Sequence, residues 1–221
     1  MMDILDILLH INDHLDAWLQ HYGSFVYVIL FAIIFVETGL VVMPFLPGDS
    51  LLFAAGALCA RISGEPNPSL ELVPMIGLLS IAAIVGDHSN YLIGRYGGSK
   101  ILNWTIRGKR LVKESYVIQT EQFFEKYGTK AIVLARFVPI VRTFTPFVAG
   151  IGKMDYRKKF MPYDIFGGVL WISSMSLAGF VLGSNAWVKS HFEAVVIGIV
   201  VLSISPMVFA YLKHVWQKRQ S

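Results

Sequence analysis

Four charged residues lie inside long apolar stretches of this 221-residue chain, where a charge is costly. Glu37 and Asp49 belong to one such stretch in the first quarter of the chain, and Arg136 and Arg142 belong to another in the second half. A charge near the middle of a bilayer costs several kcal/mol, so it usually marks a functional site. A carboxylate can carry a proton, and the forked donors of arginine fit a phosphate group. The four residues therefore predict a site that binds an anionic phosphate and exchanges protons.

Prolines interrupt both of these apolar stretches. Pro44 and Pro47 stand in the first stretch, and Pro139 and Pro146 stand in the second. Proline removes a backbone donor and disfavours helical geometry at the residue before it. Non-helical backbone at membrane depth is tolerated only where protein buries it or where it lines a water-filled cavity. Each stretch is therefore predicted to enter the membrane, break and return, as a re-entrant hairpin whose charges face a cavity.

The composition identifies the broad class of protein. Apolar residues make up 55% of the chain and charged residues only 15%, and several apolar runs are about twenty residues long, the length that spans a bilayer. We expect an all-α, polytopic membrane protein that forms a single domain over residues 1–221. The single cysteine, Cys59, excludes an internal disulfide. Because the sequence has no metal-ligand spacing, nucleophile elbow or P-loop, it predicts no metal, no cofactor and no enzyme.

The order of elements follows from the apolar runs and the loop charges. We expect amphipathic helices over 2–21 and 115–128, broken hairpins over 24–60 and 129–152, and spanning helices over 72–94, 163–184 and 193–212. The most basic segments, residues 95–114, residues 153–160 and the C-terminal tail, are predicted to be cytoplasmic. Because basic loops flank residues 129–152 on both sides, that segment must dip and return. The side of the N-terminus stays open.

The two halves of the chain repeat one another. A shift of 105 positions places Tyr22-Gly23 on Tyr127-Gly128 and Glu37 on Arg142. Each half has the order amphipathic helix, broken hairpin, spanning helix, and the loop charges open one hairpin outward and the other to the cytoplasm. This pattern predicts inverted repeats over about 1–98 and about 111–184, followed by a last spanning helix at 193–212. In transporters built this way, the site lies where the broken segments meet.

Three motifs in order resemble the DedA family of bacterial inner-membrane proteins, nearest to its namesake branch. They are the stretches Glu37 to Asp49, Gly86 to Arg95 and Arg136 to Gly150. The resemblance implies two oppositely oriented re-entrant hairpins and kinship with the VTT-domain lipid scramblases. It also implies a multi-pass protein of the bacterial inner membrane that moves phospholipids or undecaprenyl phosphate between leaflets, supports envelope homeostasis and can be driven by protons.

The resemblance also implies roles for individual residues. The functional acids of the family match Glu37 and Asp49, and its functional arginines match Arg136 and Arg142. The expected partner is therefore a membrane lipid with an anionic phosphate headgroup, and nucleic acid is not expected. The resemblance leaves open which lipid is moved, whether protons or sodium are coupled to it, and the oligomeric state.

Several of these residues also have a purely structural interpretation. Glu37 and Arg142 could be a buried ion pair that only fixes helix register. Asp49 could cap the following helix, with or without carrying a proton as well. Arg136 could extend toward lipid headgroups. Asp87, inside the span 72–94, is expected to give polar support between helices rather than to relay protons.

Three function classes therefore remain to be separated. The first is a carrier or flippase for a phosphate-headed lipid, which the sequence favours. The second is an integral lipid phosphatase, which needs a histidine nucleophile beside its arginines. No histidine is near Arg136 or Arg142 in the sequence, so this class is disfavoured. The third is a structural or chaperone-like membrane protein whose charges only hold the helices together.

Overall fold

Helices make up almost all of the described fold. The computed structural model describes residues 11–40, 48–60, 70–102, 104–106, 109–110, 114–183 and 185–191, together with residues 194, 195 and 198. Residues 2–10 of the first predicted amphipathic helix, the proline-containing turn at 41–47 and most of the predicted span 193–212 lie outside the described residues. The loop at 61–69 and the C-terminal tail do so as well.

The first half of the chain contains four helices. They are α1 (Ile11–Tyr22), α2 (Val26–Gly39), α3 (Gly48–Cys59) and α4 (Leu72–Leu102), and a 3-10 turn (Gly23–Phe25) joins α1 to α2. Helix α4 extends beyond the predicted span 72–94, and its Gly94 and Gly98 pack against Phe147 and Ile151 of the second half. Residues 95–102 are therefore helical rather than part of a loop, which corrects the prediction for that segment.

The second half begins with two short strands and continues with helices. Thr105–Ile106 (β1) pairs antiparallel with Lys109–Arg110 (β2). The helices are α5 (Glu114–Tyr127), α6 (Ala131–Ala135), α7 (Pro139–Ile151), α8 (Met161–Gly183) and α9 (Ala186–Ser190), with a 3-10 turn at Gly128–Lys130 and a π-helical turn at Tyr156–Phe160. The predicted loop 153–160 is thus partly helical, and the π-helical turn leads directly into α8.

Three helical stretches among the described residues are long and apolar enough to cross a membrane. They are Ala17–Gly39, Leu72–Gly98 and Tyr156–Gly183. Helix α3 is also apolar, but its 12 residues extend only about 18 Å, which is well short of a hydrocarbon core of roughly 30 Å. Large apolar side chains are exposed on the outer surfaces of α4 and α8, among them Val73, Ile81, Phe166 and Val181. These surfaces suit contact with lipid.

The apolar stretch of the second half is broken at Pro139. Helix α6 ends at Ala135, and α7 begins with Pro139 in its first turn. Val138 is extended, with φ −122° and ψ 102°, as expected for a residue that precedes proline. Pro146 does not start a helix. It lies inside α7, where it lacks the N–H that would bond to the carbonyl of Arg142.

Glycines allow two pairs of helices to pack closely, α3 against α8 and α7 against α4. In each pair, both helices contribute a glycine that faces the partner backbone. A Cβ on Gly56 or Gly179 would collide with the carbonyl of Ser176 or Phe53, and one on Gly150 or Gly94 would collide with the carbonyl of Tyr91 or Phe147. The short helix of each half therefore packs against the long helix of the other half.

The same local turn joins the amphipathic helix to the apolar stretch in both halves. Gly23 has φ +53° and Gly128 has φ +56°, a region that glycine enters without strain. Each of them starts a 3-10 turn, and each is preceded by a tyrosine with nearly the same backbone angles. These turns aim α2 and α6 into the helical core.

Candidate functional site

Arg142 lies between two carboxylates that the first half of the chain supplies. Its Nη2 is 2.5 Å from Oε1 of Glu37, and its Nη1 donates to Oδ1 of Asp49 at 2.9 Å. Glu37 is near the end of α2, Asp49 is in the first turn of α3, and Arg142 is in α7. Glu37 and Arg142 are 2% and 8% exposed. The structure therefore brings together three of the four predicted residues, from three different helices. We call this group the Arg142 cluster.

Trp171 of α8 completes the Arg142 cluster. Its indole Nε1 donates to Oδ1 of Asp49 at 2.8 Å, and its ring lies 4.5 Å from the guanidinium carbon of Arg142. The face of an indole attracts a cation, so Trp171 stabilises the arginine as well as its partner. One carboxylate oxygen of Asp49 thus accepts from both Arg142 and Trp171.

Backbone packing positions the pair at the centre of the Arg142 cluster. A Cβ on Gly48 would collide with the carboxylate of Glu37, so glycine is required there. The amide Nδ2 of Asn90 donates to the carbonyl of Thr38 at 3.2 Å and to the carbonyl of Thr143 at 2.9 Å. Since these residues directly follow Glu37 and Arg142, Asn90 holds both segments against α4.

Arg136 lies between a different pair of carboxylates. Its Nη2 is 2.5 Å from Oδ2 of Asp87 and 2.7 Å from Oδ1 of Asp164. All three side chains are at most 3% exposed. Arg136 follows α6, Asp87 lies in the middle of α4, and Asp164 is in the first turn of α8. We call this group the Arg136 cluster. It joins the broken stretch of the second half to two long helices.

A histidine connects the Arg136 cluster to the protein surface. Nε2 of His88 is 3.4 Å from Oδ2 of Asp164, and its Nδ1 is 3.0 Å from the hydroxyl of Tyr156. The His88 side chain is 19% exposed, whereas that of Asp164 is 1% exposed. Both ring nitrogens therefore face protein groups. The phosphatase alternative was disfavoured because no histidine is near Arg136 or Arg142 in the sequence, whereas the fold brings His88 next to the Arg136 cluster.

Four buried atoms of these clusters lack a hydrogen bond, and two of the four also make no ion-pair contact. These two are Oε2 of Glu37 and Nη1 of Arg136. Buried polar atoms are normally hydrogen-bonded, so an exception calls for an explanation. The free donor of Arg136 can bind a further acceptor such as a phosphate oxygen. Within the described residues, no group of three or more histidine, cysteine, aspartate or glutamate side chains is arranged to hold a metal ion.

The sequence predictions for this region are correct in part. The pairing of Glu37 with Arg142 is present, and Asp87 contacts Arg136 as a polar partner between helices. Arg136 and Arg142 do not meet in this structure, because each guanidinium binds its own pair of carboxylates. The positions of the two arginines on either side of the break at Pro139 separate them.

The sequence reasoning missed two residues that contact the arginines. Asp164 is a lone acid near the start of an apolar run, and the rule that marked Glu37 applies to it equally. Trp171 carries no such signal, because a tryptophan in an apolar helix is ordinarily core or lipid-facing. Only the packing of α8 against α3 places its indole beside Asp49.

The comparisons with known proteins agree on one family. The family profile of the VTT domain matches residues 46–181. Protein DedA of Escherichia coli strain K12 is 47% identical over 211 residues, which cover 96% of this chain and 93% of that protein. The matched domain region includes Asp49, Arg136, Arg142 and Asp164 and begins after Glu37.

More distant relatives are also membrane proteins by name. The uncharacterized membrane protein Rv0364 of Mycobacterium tuberculosis strain H37Rv is 40% identical over 185 residues, covering 84% of this chain and 78% of that protein. The inner membrane protein YghB of Escherichia coli strain K12 is 32% identical over 209 residues, covering 93% and 90%. No solved structure matches this chain.

Proposed function

We propose that this chain, which belongs to the DedA family and contains its VTT domain, moves a lipid with an anionic phosphate headgroup between the two membrane leaflets. The observation that supports this proposal is that two buried arginines are each held between two carboxylates. Such a group can exchange a carboxylate for a phosphate without leaving the arginine charge unpaired.

The exchange follows from the shape of arginine. Its planar fork binds a carboxylate and a phosphate with the same geometry, so either anion can occupy it. Arg142 uses one branch for Glu37 and the other for Asp49. If one acid leaves, a phosphate oxygen takes its place while the other acid still neutralises the guanidinium. The lipid phosphate thus enters a site already organised for an anion.

Protons set the direction of this exchange in our proposal. Each cluster holds two carboxylates for one arginine, so each carries a surplus negative charge when both acids are ionised. Burying an uncompensated charge is costly. A proton taken up by Glu37 or Asp49 releases that acid from Arg142 and makes room for the phosphate. Loss of the proton restores the acid and expels the phosphate. Coupling to sodium or passive exchange would need no such titration.

The architecture we propose is a pair of inverted repeats, about 1–98 and about 111–184, followed by the span 193–212 in a single domain over 1–221. The helix contacts support it. The contact between Phe53 of α3 and Gly179 of α8 corresponds to the contact between Phe147 of α7 and Gly94 of α4, at a shift of +94 for the short helix and −85 for the long helix. The same two shifts relate the contact between Gly56 and Ser176 to the contact between Gly150 and Tyr91. In this arrangement α2–α3 and α6–α7 are the two re-entrant hairpins.

The orientation we propose follows the positive charges. Arg95, Lys153, Arg157 and Lys158 gather where α4 ends and α8 begins, and by the positive-inside rule this end faces the cytoplasm. We propose that the C-terminal tail lies on the same side, and that the protein is in the bacterial inner membrane. The name of the relative YghB, an inner membrane protein, agrees with that location.

The competing proposal is a structural or chaperone-like protein whose charges only hold the helices together. A reconstitution experiment separates the two. Purified protein is placed in liposomes that contain fluorescent phosphatidic acid, phosphatidylcholine or undecaprenyl phosphate, with and without a pH gradient. We expect translocation of at least one phosphomonoester lipid above protein-free liposomes, and faster translocation with a gradient. A folded protein that moves none of the three lipids would reject transport.

A further inference from the structure

A basic pocket of about 590 Å³ opens where the C-terminal part of α4 meets the start of the π-helical turn. Four cations line it, Arg95, Lys153, Arg157 and Lys158, against a single carboxylate, that of Asp155. Such an excess of positive charge in a concave site attracts anions. None of these residues belongs to the Arg136 or Arg142 clusters, so the pocket is a separate feature.

The walls of this pocket are fixed by specific contacts. The hydroxyl of Tyr91 donates to the carbonyl of Met154 at 2.5 Å and accepts from Nη1 of Arg95 at 2.7 Å. The carboxylate of Asp155 accepts from the backbone N–H of Lys158 at 2.8 Å. This contact uses part of the acceptor capacity of the one carboxylate in the pocket, which four cations surround.

The backbone around the pocket is unusual in two respects. Lys153 has φ +51°, the one non-glycine residue with positive φ in the described part of the chain. The segment after it forms a π-helical turn rather than an ordinary α-helical start. Left-handed non-glycine residues and π-helical turns both cost free energy and concentrate at functional sites. Here they hold Lys153 and Lys158 on the same pocket.

The pocket has an apolar edge as well as a basic interior. Leu92 lines it and is 45% exposed, on the outer face of the spanning helix α4. Tyr96 also lines it and is 80% exposed. In a membrane these surfaces meet lipid chains while the cations meet headgroups. This combination fits a lipid with an anionic headgroup better than a free anion.

A chain of polar contacts leads inward from the pocket. Tyr156 lines it, and the Tyr156 hydroxyl is 3.0 Å from Nδ1 of His88. His88 in turn faces Asp164, which binds Arg136. The pocket is thus one tyrosine and one histidine away from the nearer of the two buried arginines.

We propose that this pocket binds the phosphate headgroup of an anionic lipid at the membrane surface, as the loading site for the Arg136 cluster. The headgroup oxygens accept from Lys153, Arg157 and Lys158, and the acyl chain lies along α4 beside Leu92. The assignment to a lipid on its way through the protein rests on the proposed function, whereas binding in the pocket does not.

The test measures equilibrium binding in neutral detergent, with dioctanoyl phosphatidic acid as the probe. The variant is Arg157→Gln combined with Lys158→Gln, and the matched control is Lys159→Gln, a neighbouring exposed cation that does not line the pocket. We expect the double variant to bind roughly tenfold or more weakly, since charge-assisted contacts are lost, and the control to bind like the unaltered protein. All of these side chains are exposed, so thermal melting should be unchanged.

Each other outcome has a defined meaning. Equal binding of phosphatidic acid by the double variant and the control would overturn the proposal that the headgroup binds in this pocket. Equal affinity for phosphatidic acid and inorganic phosphate would overturn the assignment to a lipid and leave a free-phosphate site. Tight binding of dioctanoyl phosphatidylcholine would show that the anionic headgroup is not recognised. If the pocket binds phosphatidic acid as expected but the liposome assay shows no translocation, the proposed function fails while the pocket stands.

Discussion

The Arg142 and Arg136 clusters have the same composition, one arginine and two acids, but they connect different parts of the fold. The Arg142 cluster takes Glu37 and Asp49 from the first half and Arg142 from the second. The Arg136 cluster takes Asp87 from the long helix α4 of the first half, and Arg136 and Asp164 from the second half. The first cluster therefore joins the two broken stretches, and the second joins one broken stretch to the long helices.

The proposed repeats show that the two clusters also differ in symmetry. In the sequence a shift of 105 residues pairs Glu37 with Arg142, whereas the shift of 94 that relates α3 to α7 places Arg142 at Gly48, so the Arg142 cluster lies where the two broken stretches meet but is not exchanged by one shift. The shift of 105 residues places Phe31 at the position of Arg136. The shift of 85 residues that relates the long helices places Leu79 of α4 at the position of Asp164 and Ile172 of α8 at the position of Asp87. Phe31, Leu79 and Ile172 all pack in one apolar core.

At these matched positions among the described residues, polar side chains are present on one side of the molecule and apolar side chains on the other. The side with Arg136 also has His88, Tyr156 and the basic pocket, whereas the matching positions on the other side form an apolar core. If the lipid headgroup entered from both sides in the same way, both sides would need equivalent polar groups. We infer that the central Arg142 cluster exchanges the headgroup in both directions, while the Arg136 cluster serves the basic side alone. The following predictions test this division.

The largest loss of stability is expected for substitution of the arginine in the Arg142 cluster. Arg142→Gln leaves the buried Glu37 and the partly exposed Asp49 without their cation, which for a buried pair costs roughly 3–5 kcal/mol of unfolding free energy. Glu37→Gln alone should cost less, because Asp49 still pairs with Arg142. The double variant Glu37→Gln/Arg142→Gln should recover the part of the loss due to Glu37, while Asp49 keeps Trp171 as its partner. Melting in detergent and lipid translocation are measured on the same preparations.

Activity in the double variant separates transport from architecture. If the pair only fixes helix register, translocation should return together with stability. If Arg142 binds the phosphate and Glu37 releases it, translocation should stay lost in a well-folded protein, and this is the outcome we expect. Recovery of both would contradict a transport site at Arg142 and favour the structural alternative.

A comparable cost is expected at Arg136, but with a different dependence on the acids. Arg136→Gln leaves Asp87 and Asp164 facing each other in the interior and should cost about 3–5 kcal/mol. Asp164→Asn keeps an acceptor for Arg136 and leaves Asp87 as its ion pair, so it should cost about 1–2 kcal/mol. Translocation loaded from the basic side should fall more than translocation in the other direction. Equal loss in both directions would remove the distinction between the clusters.

Substitution of Asn90 is expected to cause an intermediate loss of stability through the Arg142 cluster alone. Its amide donates to two carbonyls, those of Thr38 and Thr143. Asn90→Leu removes both bonds and leaves the carbonyls buried, which should cost about 2–3 kcal/mol. The matched control is Ser89→Ala on the same helix, whose hydroxyl bonds within α4 at an exposed site. Melting temperatures of the two variants decide the comparison, and an equal decrease would contradict a positioning role.

The sequence predicted the central cluster because its signals are local. Glu37 and Arg142 stand alone in apolar runs, and the repeat places them at matching positions. The break at Pro139 follows from the restriction that proline places on the preceding residue, whereas Pro146, also predicted to interrupt the stretch, lies inside α7. Most helices were predicted for the same reason, since apolar period and length depend only on the chain itself.

The other cluster depends on how helices rotate against one another, which periodicity does not determine. Arg136 and Asp164 are 28 residues apart and meet only because α8 turns its first polar residue inward. The extent of α4 was mispredicted because the basic segment from Arg95 onward was assigned to a loop, while in the fold α4 continues to Leu102 and its Gly94 and Gly98 allow α7 to approach. Trp171 joins Asp49 across 122 residues and carries no charge to signal it.

The smallest stability effect is expected for Asp49→Asn. The oxygen that accepts from Arg142 and Trp171 has a counterpart in asparagine, so both hydrogen bonds can persist. Asn also serves about as well as Asp near a helix start. Glu37 remains to neutralise Arg142. Unfolding free energy should therefore change by less than about 1 kcal/mol.

Activity of the Asp49→Asn protein then tests whether Asp49 exchanges a proton. An amide cannot gain or lose a proton in this range, so translocation and its response to a pH gradient should both be lost in a protein that melts normally. Asp49→Glu is the control, because it keeps the titratable group and should retain part of the activity. Wild-type translocation by a stable Asp49→Asn protein would reduce Asp49 to a hydrogen-bond acceptor, and Glu37 would then be the only acid of the Arg142 cluster able to carry the proton.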